Sequence, residues 1–394
     1  MAVSQVARPG KIKSWRHLAV KTLVLAVRKC ESVGRKEIDM NQHTFFPLVH
    51  NFYANLVDRL AGARQKISMT YLAFEDGNWA QSILQILREK AETGVQVQLM
   101  VDEIGQQLDE PRRLLRNHEI LTSLRQAGVQ INVFHPTTPG ISIRNRMHCK
   151  FTAIDDSTVF IGGSNIADYY TTWSDTNMRV DGSLGETFHQ AFGFLKGFSQ
   201  AHQVYPPDPP DLQAGSDRLV LTVPSRCSDI RTALLNLIHT ADQSIHLRTW
   251  YFLPDPEIMD ALCDKAGRGL QVNVMFSHQT RIRPVDFANH IPVNRLVRAG
   301  GHVYRYTGRY LHSKVSWNNR GEVLLGSANL DMHSMHNNFE SCLLVNDPSL
   351  AWELRRNFVN DLPTCRVQTL EAWNQRSLAG RILSHTCYLA APLL

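Results

Sequence analysis

One stretch of this chain occurs twice, and that duplication restricts the fold more than any other property of the sequence. Residues 56–105 correspond to residues 234–279. Each copy reads as helix, strand, helix, strand. The strands are expected at 67–74 and 245–252, the amphipathic helices at 80–93 and 257–268, and the β-branched strands that follow at 95–101 and 270–276. Gly94 and Gly269 stand where those helices stop. The likeness continues through "SLRQAGVQINVFHP" against "RLVRAGGHVYRYTG", and "MHCKFTAIDDSTVFIGGSN" against "LHSKVSWNNRGEVLLGSAN". His148 and His312 are 164 residues apart, as are Asn165 and Asn329, so the register holds through the whole motif. Strands alternating with helices predict sheets with helices packed on their faces. The expected fold is therefore α/β: two similar α/β/α sandwich domains with mixed sheets, related by pseudo-two-fold symmetry, with a shared site at their interface.

The rest of the chain divides around the two copies. Four prolines in "VYPPDPPDLQAGSD" (204–217) exclude a helix or central strand and mark a linker. The first domain is expected at 41–203 and the second at 218–365. Residues 1–40 form a separate basic segment: its first thirty residues hold no acid but carry Arg8, Lys11, Lys13, Arg16, Lys21, Arg28 and Lys29. On a helical wheel Ile12, Trp15, Ala19, Leu23 and Ala26 share one side, the pattern of a helix lying on an anionic membrane surface; an organellar transit peptide would look similar. Residues 366–394 form an amphipathic tail, too short and interrupted to span a bilayer, which could lie at the interface or dock as a terminal helix. The net charge of +6 suits an anionic partner without choosing one. Seven cysteines without paired spacing read as reduced thiols, with neither a disulfide frame nor a zinc site.

The chemistry-bearing residues sit at matching places in the two copies. His148-Cys149-Lys150 and His312-Ser313-Lys314 each lead into a strand, where side chains at i and i+2 share a face. An imidazole and an ammonium thus project together, with Cys149 or Ser313 turned away. Asn165 and Asn329 follow, each behind glycine, which permits close backbone approach at a strand end. Two such halves face to face would surround a phosphate with two cations and two amide donors. A single His-x-Lys pair carries almost no information; two full copies in register within a duplicated unit do.

These residues resemble the signature of the phospholipase D superfamily, H-x-K-x4-D followed by G-[GS]-x-N. The first copy fits in full, with His148, Lys150, Asp155, Gly162, Gly163 and Asn165; the second has His312, Lys314, Gly326, Ser327 and Asn329, with Asn319 at the acidic position. In that family the carboxylate is mainly structural. Within the superfamily, "FIGGSNIADYY", "WSDTNMRVDG" and "LLGSANLDMHSMHNNFE" resemble bacterial cardiolipin synthases, and the likeness runs over roughly residues 50–365.

The resemblance implies a mechanism in which His148 attacks phosphorus to form a phosphatidyl-histidine, while His312 protonates the leaving alcohol and then deprotonates the incoming one. The sequence leaves the reverse order open. Lys150, Lys314, Asn165, Asn329 and Ser327 would hold the phosphoryl oxygens. Asp155 belongs to the catalytic motif, and family position suggests Asp175 as the carboxylate behind His148 and Glu340 behind His312. No metal or other cofactor is implied; His43, His333 and His336 lack a convincing ligand set. The implied reaction is transfer of a phosphatidyl group from one phosphatidylglycerol to another with release of glycerol, with phosphatidylethanolamine as a further donor. The alternatives are a hydrolytic phospholipase D, a nuclease of the same superfamily and a membrane-binding scaffold without activity. Nucleic acid is not expected as a partner, because no Arg/Lys-rich tract interleaved with aromatics occurs beyond the N-terminal segment. The expected location is peripheral, on the cytoplasmic face of the cell membrane.

Overall fold

Apolar residues at helical spacing decide how the first half is built. In α1 (Val49–Ala61) Val49, Phe52, Tyr53, Leu56 and Leu60 are all buried on one side. A computed structural model describes residues 41–108, 114–135, 141–142, 145–199 and 209–393. The basic segment 1–40 and most of the Pro-rich stretch lie outside them. After β1 (Gln42–Phe46) and α1 come β2 (Lys66–Tyr71), α2 (Asn78–Glu92), β3 (Gln96–Asp102), α3 (Glu103–Leu108), α4 (Leu114–Gln126) and β4 (Gln130–Phe134). Then follow β5 (Phe151–Ile154), β6 (Thr158–Gly162), a 3-10 turn at Asp168–Thr172, β7 (Asn177–Asp181) and α5 (Gly185–Gly197). The second half begins with β8 (Gln213–Ala214), β9 (Asp217–Val223) and β10 (Cys227–Ser228). It continues with α6 (Asp229–Thr240), β11 (Ser244–Thr249), α7 (Pro256–Gly267), β12 (Gln271–Ser277), α8 (Arg283–Ala288), α9 (His290–Arg298) and β13 (His302–Tyr306). It closes with β14 (Lys314–Asn318), β15 (Glu322–Gly326), a π turn at His333–Asn337, β16 (Glu340–Asn346), α10 (Pro348–Asp361), β17 (Cys365–Val367), α11 (Leu370–Asn374) and α12 (Leu378–Ala390).

The two sheets have one topology. The first runs β1-β7-β6-β5-β2-β3-β4; the second contains β9-β16-β15-β14-β11-β12-β13 in the corresponding places, extended at its edges by β10 and β17. β2, β3 and β4 pair in parallel, as do β11, β12 and β13, while β5 and β14 join them antiparallel. This is the expected pair of mixed-sheet α/β units. The strands expected at 67–74 and 245–252 end early, at Tyr71 and Thr249, because their neighbours turn away; Phe74 and Phe252 keep only isolated bridges, to Ile166 and Leu330.

Three large apolar clusters follow from this plan, beside a small one of Tyr251, Leu253, Val285 and Ala288. One lies on the helical side of the first sheet under α1, α2 and α4, and a second occupies the matching place under α6, α7 and α9. The third joins the halves: Phe151, Phe188 and Phe198 from the first share it with Trp317, Phe339 and Phe358 from the second. Burying each such side chain is worth about 1.5–3 kcal/mol, so the halves are held by a common core. A polar clasp adds to it. His43 in β1 bonds Asp217 through Nε2 and Asp347 through Nδ1, both at 2.8 Å. Burial alone would lower the imidazole pKa, but the two carboxylates prevail and raise it to about 9, so it is held as a cation.

Candidate active site

The site forms where loops of one half run beside loops of the other. Met147 pairs with Phe339 and Ser174 with Leu311 as parallel bridges. His148 N donates to Phe339 O and His312 N to Ser174 O, each at 2.8 Å. Residue 148 of the first half is thereby aligned with residue 340 of the second, and residue 312 with residue 175. His148 Nδ1 lies 2.9 Å from both carboxylate oxygens of Glu340, and His312 Nδ1 lies 2.9 Å from Asp175. The expected pairing, Asp175 with His148 and Glu340 with His312, is therefore exchanged. Each imidazole is backed by the carboxylate of the other half, because the bridges beside the histidines, Met147–Phe339 and Ser174–Leu311, cross between halves. With the carboxylate ionised, Nδ1 carries the proton and donates it, leaving Nε2 as the basic nitrogen.

The carboxylates are held in turn. Asp175 accepts from Ser164 Oγ at 3.0 Å and from Thr176 N at 2.8 Å. Glu340 accepts from Ser334 Oγ at 2.9 Å and from Ser327 Oγ. Ser327 also accepts from Ser341 N, so this serine braces Glu340; the expectation that it faces the phosphate gives way to that role. The motif glycines serve strand approach. A Cβ on Gly163 would stand 2.4 Å from Asp175 Oδ1, and one on Gly326 2.2 Å from Ser341 O. Upstream, buried Asp102 accepts from Arg146 Nε at 2.9 Å and Met147 N at 2.8 Å, fixing the segment that delivers His148.

Both lysines are buried and curl back on their own motif. Lys150 Nζ donates to His148 O at 2.8 Å; Lys314 Nζ donates to His312 O at 2.6 Å and lies 3.1 Å from both ring nitrogens of His312. Burial is the main cause of every shift among these cations. It lowers His148 below 6.5, and brings His312 to about 3 and Lys314 to about 7. Lys314 depresses His148 and Lys150 depresses His312, so each motif feels the charge of the other half. Burial would raise Asp175 and Glu340, but the facing imidazoles and lysines outweigh it and hold both carboxyls below the ordinary range. The resting site thus has ionised carboxylates behind neutral imidazoles. The two asparagines are partly engaged: Asn165 Nδ2 donates to Tyr170 OH at 3.0 Å and its Oδ1 accepts from Leu72 N, while Asn329 Nδ2 donates to Tyr251 OH at 3.3 Å.

Asp155 stands apart from this chemistry. It ends β5, at the opposite end from His148, and its carboxylate accepts backbone N–H groups from Arg64, Gln65 and Lys66. Its place among the catalytic residues is corrected accordingly: it ties down the turn before β2. Asn319, where the second copy departs from the signature, does the same with one amide oxygen, which accepts from Asp242, Gln243 and Ser244 N. The brace needs an acceptor, and a neutral one suffices.

Sequence reasoning missed the aromatic wall around His312. The rings of Tyr170, Trp173 and Trp250 lie 5.5, 5.3 and 5.1 Å from the imidazole. Tyr310 packs at a tilt against Trp173, centroids 4.4 Å apart, and its hydroxyl accepts from Trp250 Nε1 at 2.8 Å. Arg281 lies 4.8 Å over both Tyr169 and Trp173. Part of that wall follows directly on the first motif in "NIADYYTTW"; aromatic density beside the motif was the available signal. His148 has no ring against it among the described residues, and its side chain is 14% exposed against 7% for His312. Among the described residues no group of three or more His, Cys, Asp or Glu side chains is arranged to hold a metal ion.

Two imidazoles, neither complete without a carboxylate from the other copy, converge over two buried ammonium groups; this defines a double-histidine phosphodiester transferase of the phospholipase D type. The family described as "Cardiolipin synthase, PLD-like domain" matches residues 56–190 and 234–362, and the chain belongs to it. The major cardiolipin synthase of Bacillus subtilis is 27% identical over 359 residues, covering 87% of this chain and 73% of that protein. A cardiolipin synthase of Halalkalibacterium halodurans is 30% identical, covering 87% and 70%. Among solved structures, phosphatidylserine synthase of Haemophilus influenzae superposes with a TM-score of 0.70 at 14% identity, over 95% of this chain and all of that one. Polyphosphate kinase of Porphyromonas gingivalis gives 0.60 at 15% identity, over 92% and 57%. These last two share the fold. The chain is a cardiolipin synthase-like phosphatidyltransferase acting on phospholipid.

Proposed function

We propose that the enzyme moves a phosphatidyl group from one phosphatidylglycerol to the terminal hydroxyl of another, giving cardiolipin and glycerol. The observation that carries this reading is the crossed pair of His–carboxylate contacts above Lys150 and Lys314. His148 Nε2 attacks phosphorus and the bond to the glycerol oxygen breaks. A phosphodiester bound here favours the charged imidazole, so His312 takes up a proton at Nε2 and gives it to the departing glycerol oxygen. In the second half-reaction His312 removes the proton of the incoming hydroxyl, whose oxygen displaces His148 from phosphorus. Lys150 and Lys314 balance charge on the phosphoryl oxygens throughout. The more open position of His148 supports its role as the nucleophile that must touch phosphorus. The ring-walled His312 suits a proton carrier, and the aromatic wall favours an alcohol over water as acceptor.

Phosphatidylethanolamine is a second donor in this reading, since the same phosphodiester chemistry would act on it. We place the enzyme at the surface of an anionic membrane, on the cytoplasmic face. No described helix is long and apolar enough to cross a membrane. In α12, Leu378, Ile382 and Leu389 are exposed on one face and offer a surface contact.

The test is mass spectrometry of lipids after incubation with phosphatidylglycerol vesicles, beside His148→Ala. Cardiolipin and free glycerol are expected, reduced at least about a thousandfold in the variant. Phosphatidic acid alone would reassign the reaction to hydrolysis.

A further inference from the structure

A second cluster of positive charge lies outside the catalytic site, in a cavity of about 200 Å³ between α9, β13, β17 and α11. Arg305, Arg366 and Arg376 line it, with His278, His290 and Trp373. Among the described residues no carboxylate lines it. The acid within electrostatic reach of Arg305 and His278 is Asp286. Asp286 accepts from Thr280 N at 2.8 Å through Oδ1, while its Oδ2 lies 3.9 Å from Arg283 and has no hydrogen-bond partner. Arg376 donates to His290 Nε2 at 2.7 Å, which requires that ring nitrogen to be an acceptor. Burial first, and then Arg305 and Arg376, bring His290 to about 3, so the imidazole is neutral. The Nε atoms of Arg305 and Arg376 and Nδ1 of His278 are buried without a hydrogen-bond partner. Buried polar groups are ordinarily satisfied, and Arg305, lowered first by burial, is depressed further by both Arg376 and Arg366, with Asp286 the one acid acting against them.

We propose that this cavity is a second anion site, built to take a phosphate or phosphodiester group. Planar guanidinium groups present paired N–H donors that match phosphate oxygens. An anion here would satisfy the orphaned donors and relieve the repulsion among the arginines. Its surroundings favour a lipid as the source. Arg376 stands two residues before α12, whose exposed stripe of Leu378, Ile382 and Leu389 would meet acyl chains while the cavity holds a headgroup. The inference is independent of the catalytic reading, because its readouts are binding.

The full chain would be titrated calorimetrically with inorganic phosphate, and floated with phosphatidylcholine vesicles containing or lacking phosphatidylglycerol. The variant is Arg366→Gln with Arg376→Gln. The control is Arg226→Gln with Arg268→Gln, which removes equal charge from exposed positions elsewhere. Phosphate affinity should fall about tenfold or more for each cavity arginine, and not in the control. Weaker flotation with phosphatidylglycerol in the same variant would identify the lipid headgroup as the source. Weaker phosphate binding with unchanged flotation would identify soluble phosphate. A cavity variant that matches the control in both assays overturns the proposal. Arg366→Gln alone, on the exposed edge strand β17, repeats the comparison if the double variant fails to fold.

Discussion

Asp155 and Asn319 perform one task with different charge, and the difference is testable. Each gathers three backbone N–H groups of a tight turn. Asn319 also donates through Nδ2 to Asp242. Asn319→Asp would complete the signature, yet it would replace that donor with a second carboxylate facing Asp242. The melting temperature is expected to fall by a small amount, and Asn319→Asp with Asp242→Asn to recover it; activity should change less than about twofold in either, since an exposed surface substitution rarely matters more. At the same scale, His43 is the cation of a half-buried three-residue clasp. Its pKa rises from 6.5 to about 9 on folding, so its contribution is complete below pH 6.5 and is lost as pH rises through 9. That shift corresponds to on the order of 3 kcal/mol. Melting curves of His43→Ala should therefore differ most from wild type at pH 6 and converge above pH 9. Repetition singles out His148, Lys150, His312 and Lys314 in the sequence, and the structure sets each histidine beside its lysine and a carboxylate of the other half. Ser327 was misread because a serine beside a phosphate motif and a serine beneath a carboxylate look alike until the neighbouring strand is placed.

Elements bring the reactive groups to their distances. Gly163 shows how little slack they have: an added Cβ would meet the Asp175 carboxylate at 2.4 Å. Gly163→Ala should push Asp175 off His312 and lower turnover about a hundredfold, as misplacement of about 1 Å can. Substrate affinity, read from KM, should move much less. If kcat is unchanged, the carboxylate does not position His312. The duplicated helices and strands were legible because hydrophobic spacing is local: α2 and α7 begin and end within two residues of their expected bounds. The bridges Met147–Phe339 and Ser174–Leu311 were not legible. They join residues far apart in sequence through backbone groups, and backbone groups carry no residue-type signal.

At the scale of the molecule, charge and proton are linked across the two halves. Lys314 near 7 and His312 near 3 are depressed chiefly by burial, and a phosphate placed among them would favour their charged forms. Binding of a phosphate-bearing ligand at pH 7 should therefore take up protons, on the order of one per ligand at most. Calorimetry in two buffers of different ionisation enthalpy measures this directly. Proton release would contradict the charge assignment, and Lys314→Met should reduce the uptake. The pseudo-two-fold plan itself was legible from the 164-residue offset, while the exchange of carboxylates between halves was not, because offsets of 27 and 28 residues suit either pairing.

That exchange has a historical consequence. A single copy of the unit, before duplication, would have carried an imidazole and a carboxylate unable to meet each other. Only a second copy turned by a half rotation could supply both missing partners, and it would supply them together. A single copy of this unit could thus complete the same site only as a homodimer, and joining two copies in one chain makes that association permanent. In this chain neither half completes a site alone: each histidine depends on the acid of the opposite copy.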